Sequence, residues 1–300
     1  MVPLVSVLMP TFNRAALIGE TLASLAGQRH SNLEVIVVDD GGRDNTHEVV
    51  AEFPGVRYHW QPNRKMSAAR NVAYSLCQGD YIQFLDSDDL LEPEKIRHHV
   101  SYLDDHPEVD IVYGDARYFT TEHPELRAFH LVDHYGTDAT RPWIKNAWED
   151  PAPIVEKFLR LNLMPICCPL VRRSALERIG PWDEAIHAHE DWEFWLRAAL
   201  RGLRFQFAEY PDALALIRTH RTSISWNEVL MSTLTFRLHL ARRLKPPHLI
   251  ENYWLACGAA NQLSKPKQLR SRFAYLLAAR CHPALVRSMV GAALHSSHSG

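Results

Sequence analysis

Four short apolar runs, each followed by a stretch with helical spacing, constrain the fold of this chain more than any other feature. A continuous run such as Leu33–Val38 is typical of a strand that is buried on both faces. Its alternation with helices predicts a doubly wound α/β sheet that is largely parallel. The predicted strands are residues 4–9, 33–38, 56–60 and 81–85, and the predicted helices are residues 13–25, 46–53, 67–77 and 93–103. Ligands of such sheets bind where the parallel strands end.

The fourth apolar run ends abruptly in three acidic residues, Asp86, Asp88 and Asp89. Carboxylates this close repel one another unless a cation lies among them, and Mg²⁺ or Mn²⁺ prefers such oxygen ligands. A plain turn or a cap for the helix near Pro93 explains the same residues. Both interpretations are open for this segment alone. The polar residues that follow neighbouring strands, Pro10-Thr11 and Asp39-Asp40, favour a ligand site.

The charge of the chain is unevenly distributed. The 300 residues carry a net charge of −2, which gives no signal of nucleic-acid binding. Residues 226–300 contain ten Lys or Arg against two Glu, a net charge of +8, so residues 1–225 carry −10. This basic region has a helical pattern with Pro and Gly breaks. It predicts contact with an anionic surface such as a membrane; a solvated set of helices and a homodimer contact are the alternatives.

The cysteines and the N-terminus predict a reducing compartment. The five cysteines include the neighbours Cys167 and Cys168 and show no C-x-x-C spacing, which does not suit a disulfide framework. The apolar run Leu4–Met9 is not preceded by the basic segment of a signal peptide. No apolar run approaches the roughly 20 residues that span a bilayer. The predicted location is therefore cytoplasmic, with a peripheral position on the cytoplasmic membrane face if the basic region binds lipid.

Seven sequence stretches together resemble a known family. They are Val5-Ser6-Val7-Leu8-Met9-Pro10-Thr11-Phe12-Asn13-Arg14, Val37-Val38-Asp39-Asp40-Gly41-Gly42, Ser67-Ala68-Ala69-Arg70-Asn71, Leu85-Asp86-Ser87-Asp88-Asp89, Arg178-Ile179-Gly180-Pro181-Trp182-Asp183-Glu184, His189-Glu190-Asp191-Trp192 and Arg218-Thr219-His220. In this order, over about the first 220 residues, they resemble family 2 glycosyltransferases of the GT-A fold. Each stretch is weak evidence alone, and the seven in order are a specific signal. One departure is the segment Asn63–Met66, where the family often carries glycine.

The resemblance implies a nucleotide-sugar donor, linked to UDP, GDP or dTDP. Pro10 and Thr11 would then lie beside the nucleoside. Asp40, alone or with Asp39, would accept a hydrogen bond from the base, as a carboxylate can. Arg70 would reach the base or the diphosphate. A simple turn at Asp39-Asp40 and a structural salt bridge of Arg70 are the alternatives.

The same resemblance implies a Mn²⁺ or Mg²⁺ ion that neutralises the departing nucleoside diphosphate. Asp88 would bind the ion, and Asp86 would hold the ribose or a water on the ion. His220, in an Arg-x-His pattern, would approach the metal or the diphosphate. We expect Asp89 to cap the following helix.

Glu190 and Asp191 open a predicted helix, and the resemblance makes Asp191 the general base that deprotonates an acceptor hydroxyl. Glu190 is then an acceptor contact or the base itself. The alternative is that acidic residues favour the first turn of a helix through its dipole. The expected reaction moves a sugar with inversion to a saccharide or lipid-linked acceptor, in surface polysaccharide or glycolipid synthesis.

The predicted organisation is a GT-A domain over residues 1–225, with a donor half of about 1–115 and an acceptor half of about 116–225. A basic helical extension follows over residues 226–300. Two other functions fit part of the pattern. A sugar-phosphate nucleotidyltransferase would need a glycine-rich loop after the first strand, which Pro10–Arg14 lacks. A nucleotide-sugar-binding module without catalysis would not need Asp86, Asp88 and Asp191.

Overall fold

A computed structural model describes residues 2–125, 128, 142–219 and 240. The chain divides into two compact units. One contains Met1–Phe158 and Asn162–Ser223, and the other contains Leu159–Leu161 and Ile224–Gly300. The first unit holds all the strands described below, whereas most of the second lies outside the described residues. The predicted basic extension and the predicted boundaries of the domain and its two halves therefore stay predictions.

The strands of the described part are short and follow the apolar runs. They are β1 (Val5–Thr11), β2 (Leu33–Asp39), β3 (Val56–Trp60), β4 (Tyr81–Phe84), β5 (Leu90–Leu91), β6 (Ile111–Tyr113), β7 (Ala116–Thr120), β8 (Pro169–Arg172), β9 (Phe205–Phe207) and β10 (Ala215–Thr219). The helices are α1 (Ile18–Ala26), α2 (Thr46–Ala51), α3 (Lys65–Leu76), α4 (Lys95–Asp105), α5 (Trp143–Glu149), α6 (Ile154–Arg160), α7 (Arg173–Ile179) and α8 (Glu190–Leu200). No helix in these residues is long and apolar enough to cross a membrane.

The main sheet has the spatial order β3-β2-β1-β4-β8-β6-β9. Strand β8 runs antiparallel to both of its neighbours, and the other pairs in this sheet are parallel. The predicted α/β fold with a largely parallel sheet flanked by helices is thus confirmed. Every residue of β1 and of β4 is buried, which explains why their sequences are apolar runs without a polar face.

A second, smaller sheet has the order β5-β10-β7. Strands β5 and β10 pair antiparallel through Leu90–Leu91, directly after the acidic cluster. The two-residue β5 is too short to be recognised from sequence periodicity. Its pairing ties the acidic cluster to a strand that lies more than a hundred residues later in the chain.

The largest difference from a predicted helix boundary is at the start of the first helix. The first helix begins at Ile18 rather than at Asn13, because Asn13 adopts a left-handed backbone with φ 53° that interrupts a helix. The polar segment 120–153 contains α5 at Trp143–Glu149, a helix that was not predicted. Residues 126–127 and 129–141 of that segment lie outside the described residues.

The sheet register places the polar strand ends together. Thr11 at the end of β1 pairs with Asp39 at the end of β2, and Leu8 pairs with Phe84 of β4. Since these three strands are parallel and adjacent, the residues after each of them emerge along one edge of the sheet. That edge carries the predicted donor site.

Candidate active site

The Asp40 carboxylate organises the loop that precedes α3. It accepts hydrogen bonds from the Gln61 side chain at 2.6 Å, from the Arg64 N–H at 2.8 Å and from the Lys65 N–H at 2.7 Å. Its own N–H donates to the Thr11 carbonyl at 2.8 Å. Asp40 is buried, so these bonds replace water around its charge. In this structure Asp40 therefore fixes the loop backbone, a function that was not predicted.

Asp39 points to the opposite face of the strand, as successive strand residues do. Its carboxylate accepts hydrogen bonds from the Tyr58 hydroxyl at 2.6 Å and from the Gly42 N–H at 2.7 Å. Asp39, Tyr58 and Trp60 line part of a cavity of about 810 Å³ at the β3 edge of the sheet. The cavity is not lined by Asp86, Asp88, Glu190 or Asp191. It is therefore separate from the site around those carboxylates.

Gly41 allows the turn after β2 to form. Its φ of 85° lies in the left-handed region, and a Cβ atom there would lie 2.8 Å from the backbone nitrogen of Asn63. Any other side chain would push the loop after β3 away from the end of β2. The glycine of the Asp-Asp-Gly-Gly stretch is thus explained by close packing of two loops.

Arg70, on α3, is the charged centre of the site. It is 1% exposed and donates to Asp86 Oδ1 at 3.0 Å and to Glu190 Oε1 at 2.8 Å. Its guanidinium carbon lies 4.8 Å from the centre of the Trp182 ring. Burial opposes its charge, but the two carboxylates outweigh burial and raise the pKa of Arg70. The structure shows the salt-bridge role; contact with the base or diphosphate stays a prediction.

The acidic cluster after β4 divides into three environments. Burial raises the pKa of Asp86, Arg70 opposes that rise, and the charge of Asp88 adds to it. The side chain of Asp88 approaches Arg14, with 3.3 Å between Arg14 Nε and Asp88 Oδ2. Asp86 and Asp88 therefore each have a cationic neighbour.

Asp89 is not a helix cap, and that prediction was wrong. Helix α4 begins at Lys95 with Glu94 at its N-cap position. Asp89 is buried and accepts the N–H of Arg218 in β10 at 2.9 Å. Burial raises its pKa well above the usual carboxyl range. The physical reason is the unpredicted β5–β10 pairing, which turns Asp89 toward the second sheet.

Arg218 anchors the acidic cluster from the second sheet. Its Nε donates to the Asp88 carbonyl at 2.9 Å, and its other nitrogens donate to Thr121 at 3.1 Å and to Glu20 at 2.7 Å. It also lies over the Phe119 ring at 4.7 Å. Arg218 was part of the Arg-x-His stretch, but the sequence argument selected only His220, which lies outside the described residues.

The donor atoms of this edge suit a hard divalent cation bound together with a substrate. Within the described ranges, no three His, Cys, Asp or Glu side chains form a complete metal site. Asp86 and Asp88 nevertheless supply carboxylate oxygens. Mg²⁺ usually binds through one or two carboxylates, substrate phosphates and waters. The residues present therefore fit a cation that arrives with a diphosphate rather than a permanent structural metal.

Asp191 and Glu190, at the start of α8, have opposite electrostatic environments. Burial raises the pKa of Asp191 to about 7, and the neighbouring charge of Glu190 adds to the effect. Burial acts on Glu190 in the same direction, but its ion pair with Arg70 lowers the pKa of Glu190. His189 precedes both in a left-handed conformation, with φ 59°. Asp191 is thus the carboxyl group suited to exchanging a proton near neutrality.

The fold, with its largely parallel sheet flanked by helices, is that of GT-A glycosyltransferases. Residues 6–180 match the family model described as Glycosyl transferase family 2, and the chain belongs to that family. The resemblance identified from sequence is therefore confirmed.

Known relatives extend the same likeness. A protein described as an uncharacterized glycosyltransferase from Rickettsia felis is 28% identical over 206 residues, which is 65% of this chain and 31% of the relative. A second, from Haemophilus influenzae, is 25% identical over 246 residues, covering 80% of this chain and 89% of the relative. The chain spans about a third of the length of the relatives from Rickettsia felis, Rickettsia conorii and Rickettsia bellii that it matches.

Solved structures share the fold at low identity. S. aureus TarS 1–349 has a TM-score of 0.64 and 18% identity, covering 95% of this chain and 82% of that one. The same protein in complex with UDP-GlcNAc has a TM-score of 0.59 and 16% identity, covering 93% and 82%. The mannosyltransferase PcManGT of Pyrobaculum calidifontis, in complex with GDP-Man and Mn²⁺, has a TM-score of 0.62 and 21% identity, covering 98% and 81%.

Proposed function

We propose that this protein is an inverting glycosyltransferase that moves a sugar from a nucleoside diphosphate to an acceptor hydroxyl. The observation that carries the proposal is the separation of two carboxylate groups by the buried Arg70. On one side lies the Asp86 and Asp88 cluster, and on the other side lie Glu190 and Asp191. A reaction with a charged leaving group and a separate acceptor needs two such regions.

The donor is a nucleotide sugar in this proposal. Two structural neighbours hold UDP-GlcNAc and GDP-Man, which supports the class of donor without selecting the nucleobase. The buried Thr11 Oγ1 has no hydrogen-bond partner among the described residues. An unpaired buried hydroxyl at a strand end is expected where a ligand completes the bonding. Thr11 and Pro10 then lie beside the nucleoside, as the sequence predicts.

Asp88 and Asp86 would hold Mn²⁺ or Mg²⁺, and the Mn²⁺ complex of PcManGT supports this choice of ion. When bound, the cation supplies positive charge to the leaving diphosphate. Arg70 keeps Asp86 oriented toward the site through its 3.0 Å bond. Arg218 holds the backbone of Asp88 in place through its 2.9 Å bond to the carbonyl. These contacts reduce the reorganisation that binding would require.

Asp191 acts as the general base. With a pKa of about 7, roughly half of it is ionised at neutral pH, and the ionised form can accept a proton from the attacking hydroxyl. Glu190 remains ionised through its bond to Arg70, so it is suited to holding a charge rather than to moving a proton. Attack on the anomeric carbon in a single displacement inverts its configuration. The acceptor is a saccharide or a lipid-linked saccharide of the cell surface.

Nucleotide release measured with a panel of UDP-, GDP- and dTDP-sugars, with Mn²⁺ and candidate acceptors, tests this function. We expect one donor to give acceptor-dependent release and a product of inverted anomeric configuration by NMR. Asp191→Asn should remove transfer while keeping donor binding. The exposed Asp105→Asn is the matched control and should keep both.

Three outcomes would overturn parts of the proposal. Donor binding without turnover on any acceptor would indicate a binding module. Formation of a nucleotide sugar from a sugar phosphate and a nucleoside triphosphate would indicate a nucleotidyltransferase. Full transfer by Asp191→Asn would remove Asp191 as the base.

A further inference from the structure

Asn162 makes a direct contact with Asp191 that the sequence argument did not anticipate. It lies in the connection between α6 and β8, twenty-nine positions before Asp191. Its Nδ2 donates to Asp191 Oδ2 at 2.7 Å. While Asp191 is ionised, the Asn162 side chain must face it with Nδ2 and not with Oδ1, because a carboxylate can only accept a hydrogen bond.

The other oxygen of Asp191 is also held. The N–H of Trp192 donates to Asp191 Oδ1 at 2.8 Å, so each carboxylate oxygen has one donor from a different part of the fold. Two donors on two oxygens fix both the position and the plane of the carboxylate. Trp192 is in turn buried and donates its indole N–H to the Phe158 carbonyl, which holds the start of α8 in place.

The rest of the Asn162 amide is unsatisfied. Its Oδ1 is buried and has no hydrogen-bond partner within the described part of the chain. A buried acceptor without a partner costs stability. An asparagine selected only to join the α6–β8 connection to the fold would be expected to bond through both ends of its amide. Here only the end that faces Asp191 is bonded.

We propose that Asn162 is a positioning residue, which holds the Asp191 carboxylate ionised and oriented for the acceptor hydroxyl. This inference rests on the proposed function, because it assigns a partner to the base of that reaction. Asn162 acts through Asp191 and touches neither donor nor acceptor in the proposal. Its effect on Asp191 is to donate one short hydrogen bond to the charged form.

The other charges near Asp191 define what Asn162 contributes. Glu190 lies beside it at the start of α8, and His189 directly precedes that helix. Arg70 faces it from α3, and Asp86, after β4, is bound to the same Arg70. Glu190 raises the pKa of Asp191, whereas Arg70 and the bond from Asn162 lower it. Arg70 is already divided between two other carboxylates. Asn162 is therefore the neutral side-chain donor that, together with the N–H of Trp192, counteracts burial without adding a charge to the site.

The test compares pH profiles of kcat/KM for the wild type, Asn162→Ala and Asn162→Ser. A base must be ionised, so activity rises with pH through its pKa. Loss of a hydrogen bond to the charged form should move this acidic limb to higher pH by about one to two units. Asn162→Ala should then lose about 10- to 100-fold at pH 6 and approach the wild-type rate at pH 9. The shorter hydroxyl of Asn162→Ser should give an intermediate shift.

A second readout does not depend on turnover. Titration of the Asp191 carboxyl carbon by ¹³C NMR, assigned with Asp191→Asn, should show the same upward shift in Asn162→Ala. The matched control Asn146→Ala, on the exposed face of α5, should leave both the titration and the pH profile unchanged. If Asn162→Ala does not fold, the comparison of wild type with Asn162→Ser decides the question.

The outcomes separate this inference from the proposed function. A wild type that transfers sugar, with an unshifted limb and an unshifted Asp191 titration in both Asn162 variants, overturns the inference alone. An equal loss of kcat/KM at every pH also overturns it, since that result indicates a purely structural role. A wild type without transfer on any donor refutes the proposed function, and the NMR titration then still decides whether Asn162 controls Asp191.

Discussion

Asp191→Asn should make the protein more stable at neutral and alkaline pH while it abolishes transfer. The folded protein holds the pKa of Asp191 at about 7, compared with the ordinary carboxyl value of 3.8. Between these two values the folded state keeps a proton that the unfolded chain releases. The stability contributed by this group therefore falls as pH rises from about 4 to 7, and the full cost remains above pH 7.

The size of the effect follows from the pKa difference. A shift of about three units corresponds to about 4 kcal/mol at one site. This figure is an upper bound, because Asp191 is only partly buried by surface area and its charge is shared with Glu190 and Arg70. We expect Asp191→Asn to gain about 1–3 kcal/mol at pH 8, or about 2–8 °C in Tm for a domain of this size. Loss of a general base should lower kcat/KM by about 10²- to 10⁴-fold.

The new amide can be accommodated by the existing partners. It can accept the Trp192 N–H through its oxygen and donate through its nitrogen to Asn162, whose amide would rotate to present its unpaired oxygen. That rotation gives a partner to Asn162 Oδ1, which has none among the described residues of the wild type. The substitution therefore removes a buried charge, while the unpaired end of the Asn162 amide changes from its oxygen to its Nδ2.

The assay is urea unfolding at pH 5 and pH 8 for the wild type, Asp191→Asn and the exposed control Asp105→Asn. The wild type and the control should lose stability between pH 5 and pH 8 by a larger amount than Asp191→Asn. The reasoning is refuted if Asp191→Asn has the same stability as the wild type at pH 8 and the same dependence on pH. Such a result would mean that Asp191 is ionised without cost in the folded protein.

Three further predictions concern the cationic residues. Arg70→Met should destabilise the protein by about 3–5 kcal/mol in urea unfolding, because it leaves Asp86 and Glu190 without their shared partner; an effect below 1 kcal/mol would contradict this. Arg218→Lys should weaken Mn²⁺ binding several-fold, as measured by electron paramagnetic resonance in the presence of nucleoside diphosphate, since one ammonium cannot replace the donors of the guanidinium; unchanged binding would remove its anchoring role. Lys65→Gly should raise the free energy of unfolding by about 1 kcal/mol, because φ of 73° strains any residue with a Cβ, whereas Lys65→Ala should give no such gain.

The central sheet was predictable from the sequence because its strands are buried on both faces. Every residue of Val5–Thr11 and of Tyr81–Phe84 is buried, so these strands appear in the sequence as mainly apolar runs. Their polar ends mark where each strand stops. The short strands at Leu90–Leu91 and Phe205–Phe207 were missed, since two or three residues cannot establish a periodicity. Their existence depends on pairing with distant segments.

The sequence predicted which carboxylates belong to the site, but it did not predict which residues those carboxylates contact. The positions of Asp86 and Glu190 follow from strand and helix patterns, but their shared partner Arg70 is 16 and 120 residues away. Asp89 was misassigned because its partner, the N–H of Arg218, is 129 residues away. Local patterns identify which residues carry charge, whereas tertiary packing decides how each charge is balanced.

The buried guanidinium of Arg70, shared by two carboxylates, has a consequence for how substitutions in this site combine. Asp86 and Glu190 lie on opposite sides of the site, yet both carboxylates stabilise the positive charge of the same residue, Arg70. When one carboxylate is neutralised, Arg70 keeps its ion pair with the other. When both are neutralised, the buried guanidinium loses both of these counter-charges. The free energies of Asp86→Asn and Glu190→Gln should therefore fail to add, with a coupling energy of about 1–3 kcal/mol in a double-mutant cycle.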